Sequence, residues 1–363
     1  MREKSAFTLI EVLVVVAVGA AITTGGFLMF SRYQRDQNVR LTLSELSASV
    51  RDIQRRSVTQ ENGKQWGIRI SGTDNSFKTW SGLSYASGTP DQTYSLKRNI
   101  RFGNPPSGFS IDLAFKAITG LLGENRILTV NGGAGSLVGD LIINTRGKAT
   151  TRFEEGLVGY WHFDEATSTI AYDASGNGNN GTLTNGPTWQ TSASCRAGEC
   201  LSFNGSTNFI ISTSTESLDI SESLSVSVWI YPNSTSRQSV IELGDGNDYA
   251  NNYQIFIDTG AFFTIGEGSY ATYATKSNSI SSGNWYHIAG VFDGVTAKIY
   301  LNGVLAGQDT FSGTRQSGGY FRVGVRVPSG VPQWYFNGKI DEVRIYSRAL
   351  SAQEVLNMYN DLK

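Results

Sequence analysis

Along the first sixty residues the hydrophobic pattern changes character once. Residues 7–30 are apolar almost without a break, and as a helix they would be about 36 Å long, enough to cross a bilayer. Polar residues enter at Ser31 and Arg32, after which Val39, Leu43, Leu46, Val50 and Ile53 step by four and three, with Arg40, Glu45, Arg51 and Arg55 on the other face. A single long helix is therefore predicted, leaving the membrane and packing its apolar stripe on a sheet. Gly25 and Gly26 lower helix propensity midway and allow local unwinding. Beyond the helix, short runs with strand character (Trp66 to Ile70, Ile111 to Phe115, Arg126 to Val130, Leu141 to Asn144) are separated by Gly and Asn, which predicts an α+β unit with a small antiparallel sheet ending near Glu155. From Gly156 the pattern becomes alternation: Leu224, Val226, Val228 and Ile230 stand against Ser225, Ser227, Trp229 and Tyr231. Asn302-Gly303 has the two-residue signature of a tight hairpin, and Asp293-Gly294 and Asn337-Gly338 punctuate neighbouring strands. Regular strands and turns over about 200 residues predict an all-β jelly-roll sandwich.

Composition agrees with two cores joined by many turns: 363 residues, 41 Gly, 7 Pro and 17% charged residues. Thirty Lys and Arg against 31 Asp and Glu give a net charge of -1, which leaves no electrostatic footprint for a polyanion, so nucleic acid is not expected as a partner. Cys195 and Cys200 are spaced for a small disulfide-closed loop in an oxidising compartment, the alternative being two free thiols. The N-terminus favours the disulfide because it argues for export.

Arg2 and Lys4 precede the apolar run, and no cleavage site follows it, so the membrane helix is expected to be retained. Glu11 lies one turn into it, a carboxylate that lipid would penalise without a partner. Ala6 followed by Phe7-Thr8-Leu9-Ile10-Glu11 behind a short charged leader resembles the class III signal of type IV pilins and pseudopilins. The resemblance implies that a prepilin peptidase cuts between Ala6 and Phe7 and methylates the new amine of Phe7. Glu11 then becomes the fifth mature residue and meets the N-terminal amine of a neighbouring subunit in the apolar filament core. The family usually has Gly before the cut, so Ala6 implies slower processing at worst. The competing reading is a plain signal anchor with a chance Glu. The segments "SVTQENGKQWGIRI" and "LIINTRGKA" are similar to those of H-type minor pseudopilins. The implied organisation is a leader at 1–6, a membrane or filament-core helix at 7–30, a pilin-like head at 31–155 and a sandwich at 156–363.

In the second half "GLVGYWHFDE", "AYDASGNGNNGTL", "CLSFNGSTNFI", "LSVSVWIYP", "NWYHIAGVFDG", "KIYLNGVLAG" and "KIDEVRIYSRALSAQEV" resemble, in order and spacing, laminin-G-like, concanavalin A-like jelly rolls. Ser351 and Glu354 form a capping box for a closing helix. Asp173, Ser175, Asn177 and Asn179 alternate along a Gly-rich loop, so several oxygens could converge on a structural Ca2+. The loop is no EF-hand, since Thr184 stands where that motif needs a bidentate Glu, and the resemblance nominates Asp341 as the remaining carboxylate. The other reading is an Asn/Gly-rich turn held by side-chain to backbone bonds. Family members often carry Asp where this chain has Asn204, Thr207 and Asn208, which argues against a second calcium site.

Catalytic signatures are missing. The two histidines, His162 and His287, sit in apolar strand patterns, and there is no nucleophile elbow, phosphate loop or His-Glu-x-x-His motif. Glycosidases of this fold need close carboxylates on one face, whereas Asp341 and Glu342 are adjacent and point to opposite faces, so no enzyme is expected. Sugar rings stack on aromatics while amides and carboxylates read hydroxyls, which singles out Asp245, Asn247, Asp248 and Tyr249 as a ligand-binding loop, a solvated turn being the alternative. Trp161, Trp229 and Trp285 are expected in the core.

The expected function is that of a minor pilin or pseudopilin in a type IV pilus-like filament, displaying a carbohydrate- or protein-binding adhesin domain. More than 300 residues outside the helix would crowd a filament if every subunit carried them, which favours a tip or sparse position. The alternatives are a pseudopilin of a type II secretion-like machine with a substrate-binding module and, last, an anchored glycosidase. Expected partners are the prepilin peptidase, other pilin subunits, the membrane through the N-terminal helix, and a glycan or surface protein. The expected location is the cytoplasmic membrane before assembly and the cell surface or an extracellular filament afterwards.

Overall fold

The computed structural model describes residues 9–212, 216–244, 251–267, 271–311 and 318–363. Helix α1, Leu9–Val58, is continuous through the glycine pair. Ile10, Phe27, Leu28, Met29 and Phe30 are exposed on it. Among the described residues no helix is long and apolar enough to cross a membrane. Residues 7 and 8 and several side chains of the apolar run, Glu11 among them, lie outside the description.

The stripe Val39, Leu43, Leu46, Val50 and Ile53 is fully buried, where the four-and-three spacing places it. It packs on two four-stranded antiparallel sheets rather than one. In the first the order is Thr89–Ser95, Ser76–Ser81, Trp66–Ser71, Ser110–Phe115; in the second it is Arg101–Asn104, Arg126–Asn131, Val138–Ile143, Ala149–Glu154. The strands that periodicity missed are short, polar or entirely exposed like Thr89–Ser95, so they carry no apolar alternation to read.

The remainder is a sandwich of two antiparallel sheets. The front sheet runs Ile170–Ala171, Gly181–Thr184, Phe209–Ser212, Tyr320–Val323, Gln238–Gly244, Asn251–Ile257, Gly260–Glu267, Ala271–Ser279. The back sheet runs Thr188–Gln190, Cys200–Asn204, Asn337–Tyr346, Leu224–Pro232, Tyr286–Phe292, Thr296–Leu301, Val304–Thr310, and Leu157–Trp161 pairs along part of Asn337–Tyr346. Val226, Val228, Ile288 and Ile345 of the back sheet share one core with Ile241, Ile255 and Phe263 of the front sheet. Asn302 and Gly303, with φ of 51° and 80°, turn the hairpin between Leu301 and Val304. Helix α2, Ala352–Leu362, opens with the Ser351–Glu354 capping box.

Ser225, Ser227 and Trp229, on the polar side of the alternating strand, are buried as well. The cause is that the back sheet lies against the head. In Val138–Ile143, Leu141 and Ile143 join the core under α1, while Val138 and Ile142 pack with Tyr160, Trp229 and Tyr346 of the sandwich. Head and sandwich are separated in the chain only by the turn at Glu155 and Gly156. A buried polar network joins them. Arg152 bonds Glu154, Asp361 (2.6 Å) and Asp140 (3.3 Å), and Tyr346 donates to Glu154 (2.7 Å). Arg344 bonds Glu342 (2.7 Å) and the Tyr160 hydroxyl, Tyr160 donates to Glu342 (2.6 Å), and His162 bridges Glu342 (2.9 Å) and the Thr129 hydroxyl (2.8 Å). Burial and the nearby Glu154 push the Asp140 carboxyl up to about 6 against the pull of Arg152 and Arg344.

Cys195 and Cys200 form the disulfide. Their loop is a wedge: Arg196 and Ala197 donate backbone N–H groups to Asp341 of the sandwich (2.9 and 3.3 Å), and Gly198 N–H donates to the Asn125 carbonyl of the head (2.9 Å).

Candidate binding face

The outer face of the back sheet is occupied by the head, and the outer face of the front sheet is the one turned away from it. Four of its strands send alternate residues inward: Phe321 and Val323, Ile241 and Leu243, Tyr253 and Ile255, Phe263 and Ile265. The residues between them are thereby forced outward, and the strand register sets Arg322, Glu242, Gln254 and Thr264 directly opposite one another across four strands. This row is recessed, with exposures of 5%, 1%, 3% and 1%.

Arg322 reaches Glu242 at 3.4 Å and the Gly244 carbonyl at 3.3 Å, Glu242 accepts the N–H of Val327 (3.1 Å), and Gln254 donates to Ser239 (3.1 Å). Burial raises the Glu242 carboxyl above the usual carboxylate range although Arg322 and Arg326 draw it down. The Thr264 hydroxyl is buried without a hydrogen-bond partner, a group that an incoming polar ligand or water would satisfy. Beside the row Phe256 and Phe262 stack at 4.6 Å, and Trp334 stands 6.1 Å from Phe256. Arg237 and Arg326 lie over the Trp334 ring at 5.0 and 4.6 Å. The Trp334 carbonyl accepts the N–H of Ser239 (2.7 Å), which holds this segment along the sheet. A polar floor of amide, hydroxyl, carboxylate and guanidinium beside an aromatic wall can read hydroxyl groups and hold ring faces. The row contains a single carboxylate, so it lacks the pair that glycoside hydrolysis requires.

The residues singled out from sequence are distributed differently. Asp245, Asn247, Asp248 and Tyr249 lie outside the described residues, in the segment between the strands that carry Glu242 and Gln254. Ala6 and Phe7 also lie outside them, as does the side chain of Glu11. Asp173, Ser175, Asn177 and Asn179 do come together, but around hydrogen bonds. The Asp173 carboxylate accepts the N–H groups of Tyr160, Ser175 and Asn179 (2.9 Å each) and the Ser175 hydroxyl (2.8 Å). The amides of Asn177 and Asn179 donate to the Val158 carbonyl at 3.1 and 2.8 Å. Asp341 stands apart, bonded to the Cys195–Cys200 loop. Calcium needs six to eight oxygens turned inward, and here the one loop carboxylate is consumed by backbone donors while the amide nitrogens face the shared carbonyl. In this arrangement the residues do not fit a calcium cage, and no cluster of three His, Cys, Asp or Glu able to hold a metal occurs among the described residues.

Asn204 caps its own turn, accepting the N–H groups of Ser206, Thr207 and Asn208. Asp341 and Glu342 do not face apart: a bulge at Glu342, φ 54°, leaves both between the inward Ile340 and Val343 on the head side of the strand, Asp341 at the disulfide loop and Glu342 at Tyr160 and His162, both buried. His287 is buried with Ser227 at 2.8 Å. Trp161 and Trp229 are buried, whereas Trp285 is half-buried. The row itself escaped the sequence reading, although "VIELG", "YQIFI", "FFTIG" and "YFRVG" each carry one polar residue between two inward ones.

Residues 204–356 match the family model of the concanavalin A-like lectin/glucanases superfamily, and residues 1–27 match that of the prokaryotic N-terminal methylation motif. No curated protein matches the chain. Among solved structures, domain 4 of AbnA, a GH43 extracellular arabinanase from Geobacillus stearothermophilus, in complex with arabinotriose, is 23% identical at a TM-score of 0.45, over 56% of this chain and 98% of that one. The binding domain of Paraclostridial Mosquitocidal Protein 1 is 17% identical at 0.46, over 57% of this chain and 52% of that one. The binding domain of Botulinum Neurotoxin DC in complex with SialylT is 15% identical at 0.46, over 58% and 52%. The chain thus spans about half the length of the two toxin domains.

Proposed function

We propose that this chain, which joins a prokaryotic N-terminal methylation motif to a concanavalin A-like domain, is a minor pilin-like subunit that displays the sandwich as a glycan-binding adhesive module. The motif implies insertion in the membrane, processing by a prepilin peptidase at Ala6 and Phe7, and assembly with other pilin-like subunits through α1 and Glu11. The observation that carries the reading is the use of the two sandwich faces. The back sheet is spent on the head, on the side of Val138–Ile143 away from α1, and the front sheet carries a recessed polar row beside an aromatic wall. A subunit whose helix lies in a filament core would therefore carry that face outward.

The test is glycan capture by the full chain in detergent micelles on an array, for wild type and for Trp334→Ala and Gln254→Ala. Capture of a defined glycan set, weakened at least tenfold by either change with the melting midpoint retained, is expected, since loss of a buried hydrogen bond or stacked ring costs about 1–3 kcal/mol. Capture unaffected by both changes would remove the front face from the function. Antibody against the sandwich should mark filament ends or scattered points, and dense uniform decoration would contradict a minor subunit.

A further inference from the structure

Head and sandwich meet along a cleft of about 410 Å³ whose walls come from both, in the size range of small-ligand sites and at a domain junction where such sites concentrate. The head contributes Thr73, Asn75 and Arg101, and the sandwich contributes Tyr172, Asp173 and Asn180. Gly133 and Gly178 also line it, and a Cβ at either would meet nothing within 4 Å, so a ligand can approach the backbone there.

The hydrogen-bonding groups are oriented in one sense. Asn75 Oδ1 accepts the N–H of Phe102 (3.1 Å) and Asn180 Oδ1 accepts the N–H of Asp173 (2.9 Å), so each side chain has its NH2 group left to donate. Thr73 Oγ1 accepts the N–H of Gly108 (3.2 Å) and keeps its proton for a further acceptor. Arg101 is exposed and makes no ion pair among the described residues. The one carboxylate, Asp173, has both oxygens engaged by the chain. The cleft therefore offers donors and a positive charge, with Tyr172, held edge-on by Phe109 at 5.9 Å, as an aromatic surface.

We infer that this interdomain cleft is a second binding site, separate from the front face, for an anionic saccharide bearing carboxylate or sulfate groups. Guanidinium and amide donors match the acceptor-rich acid group, and the tyrosine offers a face or edge to the ring. Neither domain alone contains the site, so binding here also draws the head and sandwich together.

The experiment titrates the full chain in detergent with an oligogalacturonate, a neutral galacto-oligosaccharide and inorganic sulfate, at low and at physiological salt. The acidic oligosaccharide is expected to bind, more weakly as salt rises, and about tenfold more weakly in Arg101→Gln and Asn180→Ala, for a lost charge-assisted contact. The neutral oligomer should bind at least tenfold less well. Gln254→Ala on the front face should leave this binding unchanged, so failure here and failure of the adhesive reading are separate results. Equal affinity for the neutral oligomer, or no effect of Arg101→Gln, overturns the inference. Displacement of the oligosaccharide by an equal concentration of sulfate would reduce the cleft to an anion site and overturn the saccharide.

Discussion

Glu165 is buried, its Oε1 accepting the N–H of Tyr172 at 2.7 Å while Oε2 has no partner. Burial pushes its carboxyl from 4.5 up to about 8. The folded chain holds this proton where the unfolded chain has released it, so this residue's contribution to stability is present below pH 4.5 and is lost as pH rises toward 8. His287 acts in the opposite sense. Burial, with Arg344 and Arg152 nearby, lowers it from 6.5 to about 3, so the unfolded chain takes up the proton first and stability is lost as pH falls through that interval. Glu165→Gln is expected to leave stability unchanged near pH 4 and to raise it above pH 8, as read from denaturant midpoints. An identical decline in both proteins on the alkaline side would refute the assignment. The Asp173 loop gives a second test. Asp173→Ala strands three backbone donors and should cost about 3 kcal/mol, whereas a chelator should leave the wild-type melting midpoint in place. A midpoint lowered by chelation would restore a cation to the loop. The alternation of Asp173, Ser175, Asn177 and Asn179 made this loop legible as a cluster of side-chain oxygens. Whether those oxygens face a cation or the backbone depends on neighbours such as Tyr160 and Val158, which lie 13 or more positions away in the chain.

At the level of elements, period is informative where one face is buried and misleading where two are. The stripe from Val39 to Ile53 could be read directly because α1 has one packed side. The strand Leu224–Pro232 reads as half-exposed, yet it is buried throughout except for the half-buried Tyr231, because its outer residues meet the head. The binding row is the converse case. Arg322, Glu242, Gln254 and Thr264 lie on four strands and are up to 80 positions apart in the chain, and only register aligns them. The bulge near Ser239 and Ile241 contributes to that register, and a one-residue slip would turn the row into the core.

For the whole molecule the buried network predicts one body rather than two tethered modules. Arg344→Met removes a guanidinium from among Glu342, Asp140 and the Tyr160 hydroxyl. Leaving buried carboxylates without their cation should cost about 3–5 kcal/mol. Calorimetry of the wild-type chain should give one transition covering head and sandwich, and Arg344→Met should shift it down as a unit. Two well-separated transitions, with only one moved by the substitution, would show the domains to be independent. Residues 156–363 expressed alone would uncover Glu342, Arg344, Tyr346 and Trp229, so such a fragment is expected to be less stable than the same residues within the full chain.

The local pattern sufficed for the elements that bury one face or obey a short motif: the amphipathic helix, the methylation signal, the hairpin at Asn302 and Gly303, the capping box at Ser351 and the alternating strands of a concanavalin A-like sandwich. Each rests on residues within a few positions of one another, where period and backbone preference act directly. Tertiary structure decided which face of the sandwich the head covers, which carboxylates are buried in the network, and which polar residues form a row or a cleft. Those outcomes depend on the relative placement of strands far apart in the chain, and hydrophobic burial is non-directional, so it drives the sheets together without specifying which outer face remains open.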